Sequence, residues 1–143
     1  MDTQAMNPDW KTMLAVAVGG AAGSVTRYLA AVYALSHQER WPGAPHFPWG
    51  TFAVNIMGAF LIGLLGYLCK ESKSFSDLIW YLLATGFLGG LTTFSSLCFE
   101  TLTLLRKDQY GMAVSYVGFS LVLGMAAVAA GFGIGLLIGP KAA

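Results

Sequence analysis

The sequence predicts an all-α integral membrane protein with four transmembrane helices, and three observations predict it. Hydrophobic residues make up 56% of the chain and charged ones 10%, against about 25% charged in an average soluble domain. Mean hydropathy is +0.63. A span needs roughly 20 apolar residues, so 143 residues hold four spans with short connections and leave no room for a soluble catalytic domain. The net charge of +1 lacks the clustered basic face that nucleic acid requires. Cys69 and Cys98 make neither a disulfide framework nor a metal-ligand spacing, and both read as packing residues.

The chain reads as one four-span domain over residues 1–143, with spans near 13–35, 49–69, 78–105 and 110–138. The N-terminal dozen, with Asp2, Asp9 and Lys11, is polar and expected to fray. The apolar run from Met13 to Leu35 is too long for a signal peptide and contains Arg27, so it reads as span one. Gly19, Gly20 and Gly23 give that span a small-residue face on which another helix can approach closely. Pro42, Gly43, Pro45 and Pro48 end it, and Trp41, Phe47 and Trp49 fit an interfacial aromatic belt. Span two, Trp49 to Cys69, ends in the polar loop Lys70 to Asp77. Span four carries Gly131, Gly135 and Gly139 at four-residue spacing, a stripe read as ordinary close packing.

The third span is the unusual one. Inside its apolar run sits Thr85-Gly-Phe-Leu-Gly-Gly-Leu-Thr-Thr-Phe-Ser-Ser-Leu-Cys-Phe-Glu100. Gly89 and Gly90 loosen the backbone, and Thr92, Thr93, Ser95 and Ser96 can bond nearby main chain in place of the helical ladder. A break near 89–95 is expected. Non-helical backbone at membrane depth survives only where it is buried in protein or lines a wet cavity, so such a break points to an ion site.

Polar side chains within the spans are the candidate functional residues. Thr51 and Asn55 lie one turn apart on span two, and Tyr116 and Ser120 one turn apart on span four. The first pair reads equally as glue between helices or as lining for a path, whereas the second, taken alone, reads first as a serine bonding its own helix and a tyrosine packing. Phe94 offers an electropositive ring edge amid hydroxyls. With an amide beside it and no carboxylate among them, the set offers donors, which suits a small, strongly hydrated anion. Arg27 reads either as a mouth charge attracting anions or as a helix anchor, and Glu100 as a partner for some cation. His37 and His46 both fall in the first loop, and no catalytic constellation lies at membrane depth, so no enzyme is expected. Lysine and arginine divide four (Lys11, Lys70, Lys73, Lys141) against three (Arg40, Arg106, Lys107) between the two faces. That near-balance suggests insertion both ways up and an antiparallel dimer.

Three stretches now stand together: Gly19 to Tyr28 with its GGAAGSVTRY run, Pro48 to Asn55 followed by Gly58, and Gly86 to Ser95 followed by Glu100. In this order they resemble the bacterial fluoride channel family, Fluc or CrcB, over nearly the whole chain, the third stretch being the most specific. The resemblance implies a passive fluoride exporter of the bacterial cytoplasmic membrane. It implies a dual-topology antiparallel homodimer with two pores, and a structural Na⁺ at the dimer interface held by main-chain carbonyls, here those of Gly89 and Thr92. It also implies Asn55, Phe94, Thr51, Tyr116, Ser120, Ser95 and Ser96 as pore residues.

The chain departs from the family pattern twice. Leu97 stands where a second phenylalanine is usual, with Phe99 facing elsewhere on a helix, and Gly124 replaces a hydroxyl one turn beyond Ser120. Two alternatives therefore stand beside the channel: a small four-span drug or metabolite exporter relying on Glu100, and a non-conducting partner subunit of a heteromeric channel.

Overall fold

The computed structural model describes residues 9–40, 47–71 and 76–140. Of the positions singled out above, Asp2, Trp41, Pro42, Gly43, Pro45, His46, Lys73 and Lys141 lie outside them. The described residues are all-helical, with no strand, and four helical stretches are long and apolar enough to cross a membrane: Trp10–Ser36, Trp49–Cys69, Asp77–Arg106 and Tyr110–Ile138.

Helix α1 (Trp10–Ser36) follows the extended Asp9, whose carbonyl accepts from the Met13 N–H at 3.0 Å. Trp10, Lys11 and Thr12 are thus helical, where fraying was expected. Helix α2 (Trp49–Leu65) starts directly after Pro48, whose fixed φ favours a helix start, and runs on as a π-wound segment, Gly66–Glu71. The third stretch begins as α3 (Asp77–Trp80) after the extended Ser76. It widens into a second π-wound segment, Tyr81–Leu88, tightens as α4 (Gly89–Leu91), and resumes as α5 (Phe94–Arg106). Between α4 and α5, Thr92 (φ −82°, ψ 154°) and Thr93 (φ −152°, ψ 120°) are extended. Helix α6 (Tyr110–Ile138) follows a turn in which Asp108 takes a left-handed φ of 57°.

Two glycine seams hold these pieces. In the first, α1 lies against Tyr81–Leu91: Gly19 meets the carbonyl of Leu82, Gly23 that of Phe87, and Gly90 that of Gly20. A Cβ on Gly86 would stand 2.9 Å from the Val16 carbonyl oxygen, so main chain rests directly on main chain. In the second seam α2 runs along α6, with Gly63 on the Val128 carbonyl and Gly131 on that of Phe60. Farther along, Gly135 faces the Tyr67 ring, whose hydroxyl donates to the Pro140 carbonyl at 2.9 Å. Gly131, Gly135 and Gly139 therefore do the packing work expected of them.

Among the described residues, buried apolar side chains gather in two clusters beside the scattered Tyr67, Cys69 and Ala84. Val54, Leu88 and Leu91 fill the space where α2 meets the third stretch. Leu97, Leu104, Ala113 and the fully buried Tyr116 join α5 to α6. Phe47 turns inward on this second cluster, its ring 5.4 Å from that of Tyr116, and so is a packing residue more than a belt residue. Of the two cysteines, Cys69 is buried as expected and Cys98 is exposed.

Candidate functional site

The site is built on the two extended residues. In an unbroken helix the Thr93 N–H would bond the Gly89 carbonyl and the Ser96 N–H the Thr92 carbonyl. Here the Thr93 N–H donates to Asn55 Oδ1 at 2.8 Å, and Asn55 Nδ2 returns a bond to the Thr93 carbonyl at 3.1 Å. The side-chain amide thus pairs with one residue's main chain much as a neighbouring strand would. Because an N–H must meet oxygen, this reciprocity also fixes which way the amide points. The Ser96 N–H goes to Thr93 Oγ1 at 3.1 Å, capping the first turn of α5. The carbonyls of Gly89 and Thr92 therefore both lose their helical donors.

Thr93, only 8% exposed, is the hub of this junction, because its hydroxyl also lies within 3.1 Å of Ser95 Oγ and 3.2 Å of Ser96 Oγ. Thr92 turns its hydroxyl back to the Leu88 carbonyl at 2.9 Å and presses its methyl group onto Gly58 of α2, where a Cβ would collide with it. Immediately after the junction Phe94 projects outward, 76% exposed on the single chain. A cavity of about 400 Å³ opens here, and its lining includes Asn55, Gly89, Thr92, Phe94, Ser120 and Gly124.

One helical turn from Asn55, Thr51 belongs to a different arrangement. Its hydroxyl donates to Glu100 Oε1 at 2.7 Å, and the Tyr116 hydroxyl donates to Glu100 Oε2 at 2.6 Å. One carboxylate thus ties α2, α5 and α6 together. A second cleft of about 320 Å³ flanks it, lined by Phe47, Trp49, Thr51, Phe99, Glu100 and Lys107 among others. Thr51 and Tyr116, expected among the pore residues, thus donate to a carboxylate, whereas among the described residues no carboxylate lines the cavity at Asn55 and Phe94. Arg27 is half-buried on α1, and among the described residues no ion pair joins it to Glu100.

The residues singled out from the sequence therefore fall into two groups. Asn55, Gly89, Thr92, Phe94, Ser95, Ser96 and Ser120 gather at the junction and its cavity, whereas Thr51, Tyr116 and Glu100 form the bridge beside it. Arg27 belongs to neither. Thr93 was missed as a site residue, although a threonine three positions before Ser96 at a helix start is a capping signal. Of the departures, Leu97 is 7% exposed and packs into the α5–α6 cluster, and Phe99 is 71% exposed on the side of the second cleft.

A sequence profile described as CrcB-like protein, Camphor Resistance (CrcB), matches residues 14–132. A fluoride-specific ion channel FluC of Agrobacterium fabrum is 47% identical over 120 residues, covering 84% of this chain and 92% of that protein. The FluC proteins of Bacteroides fragilis and Caulobacter vibrioides are 43% and 42% identical, over 85% and 83% of this chain and 93% and 91% of their own lengths.

Proposed function

The chain belongs to the CrcB-like family, and from that premise we propose that it is a fluoride-specific ion channel, a multi-pass membrane protein that lets fluoride cross passively. The family is one of channels, not of enzymes. The observation that carries the reading to individual residues is the Asn55–Thr93 junction. Asn55 spends one amide hydrogen on the Thr93 carbonyl and, having two, keeps the other for the cavity it lines. Ser120, Ser95 and Ser96 add hydroxyls, and Phe94 adds the positive edge of its ring. These groups replace the water that a small halide sheds, without a countercharge strong enough to trap it.

The proposal extends to assembly. Phe94 and Gly89 are exposed on the single chain, and large apolar exposure beside a polar cavity suits an interface with a second, antiparallel copy. The released carbonyls of Gly89 and Thr92 fit a hard monovalent cation, which favours oxygen ligands and needs no charged residue beside it. In a two-fold dimer they would hold a structural Na⁺ whose role is to neutralise converging carbonyl dipoles. The bacterial cytoplasmic membrane is the proposed location. The exporter alternative needs Glu100 open to a cation and a proton, and both of its oxygens already accept hydroxyls.

Purified protein in fluoride-loaded liposomes tests this reading with a fluoride electrode and a parallel chloride measurement. Fluoride efflux well above chloride efflux is expected from the wild type, and nearly none from Phe94→Ile, which keeps bulk and removes the ring edge. Equal efflux from the two proteins would overturn the assignment of Phe94.

A further inference from the structure

Ser120 and Gly124 stand one turn apart on α6, and both line the cavity that holds Asn55 and Phe94. The Ser120 hydroxyl oxygen is buried and makes no hydrogen bond. Other hydroxyls on these helices turn back onto the carbonyl four residues earlier: Thr26 to Ala22, Thr92 to Leu88, Thr101 to Leu97 and Thr103 to Phe99. Ser120 does not take this retreat. A buried hydroxyl left alone is costly, so its partner must come from the cavity.

Gly124 shows the complementary feature. The seam glycines Gly19, Gly23, Gly63, Gly86, Gly90 and Gly131 are pressed by neighbouring main chain, but nothing stands within 4 Å of where a Cβ on Gly124 would lie; the same holds for Gly118 and Gly133 of α6, but of these three only Gly124 lines the cavity. A glycine in mid-helix weakens the helix, and close packing does not account for this one. What it does provide is room beside an unpartnered hydroxyl. Without a Cβ, it also leaves the main-chain carbonyls of its own turn open to a second bond.

We propose that Gly124 keeps a place for a water molecule bound to the Ser120 hydroxyl, which makes Gly124 a specificity-determining residue of the pore. A buried water needs a polar site with two to four partners, and the candidates are Ser120, the main-chain carbonyls of its turn and the Asn55 amide, which lines the same cavity. An anion passing position 124 then keeps one water there, where a side-chain hydroxyl at that position would have replaced it. A path that is wet at this point discriminates less strictly by size than a dry one. The consequence for selectivity rests on the channel reading, whereas the water site itself does not.

Thermal unfolding of the purified full chain in detergent decides the water site. Wild type, Gly124→Ala, Ser120→Ala and the double variant form a closed cycle. An alanine methyl displaces the water and strands Ser120, so Gly124→Ala should lower the midpoint by about 3 °C. With alanine already at position 120 nothing is stranded, and the same change should raise the midpoint or leave it unmoved. Equal shifts in the two backgrounds would overturn the water site, as would a structure with a partner side chain in that place. In vesicles, Gly124→Ser supplies the hydroxyl directly and should raise the fluoride-to-chloride efflux ratio several-fold. An unchanged ratio would overturn the role in selectivity. Wild-type vesicles that pass no fluoride would instead remove the channel reading, and the thermal cycle would still decide the water site.

Discussion

Asn55 and Thr51 lie one turn apart on α2, yet their surroundings use polar groups in opposite ways. At Asn55 a neutral amide fills the gap in the main chain of the third stretch, and hydrogen donors are left over for the cavity. At Thr51 a carboxylate accepts hydrogen bonds from two hydroxyls, so they turn only oxygen lone pairs to anything else. Both arrangements join α2 to α5, but only the neutral one leaves a surface that an anion can approach. Under the proposed function, holding helices together and receiving an anion are thus separate jobs on one face of one helix.

The largest test erases that difference. Asn55→Asp puts a charge at the neutral end and removes the donor to the Thr93 carbonyl. Two like charges about 4 Å apart at an effective dielectric of about 20 repel by about 4 kcal/mol, so fluoride efflux should fall roughly a thousandfold. Efflux above a tenth of the wild-type rate would break the comparison. Next in size is Glu100→Leu, which strands the Thr51 and Tyr116 hydroxyls and should cost about 3 kcal/mol of stability in denaturant unfolding. Glu100→Gln can still accept from one hydroxyl and donate to the other, so it should lose less than half of that. Equal losses would mean that the charge, and not the hydrogen bonding, holds the bridge. The smallest effect belongs to Thr93→Val, which removes the cap of α5 at a cost of about 1 kcal/mol and leaves the main-chain pairing with Asn55 in place. Thr93→Ser should restore the unfolding midpoint.

The four spans were legible because an unbroken apolar run long enough to cross a bilayer has few other uses. The motifs in spans one to three also sufficed to identify the family. Gly19 and Gly23 were readable as a contact face, since small residues at four-residue spacing permit close approach whatever lies opposite. What sits opposite was not readable. Nothing local tells Asn55 that it will meet the main chain of Thr93, 38 residues away, or tells Thr51 that Glu100 waits 49 residues on. The π-winding of Tyr81–Leu88 was equally hidden, since no residue's own preference marks it.

The contact of α1 with Gly86 and Gly90 has a consequence for motion. Where peptide rests on peptide there are no rotamers to exchange, so that flank of the third stretch behaves as a fixed post. Thermal give near the two extended threonines must then be taken up from the opposite flank, by the side chains that α2 and α6 turn toward them. On the proposed ion path, breathing at this point is accordingly a movement of Asn55 and its neighbours against the α1 flank.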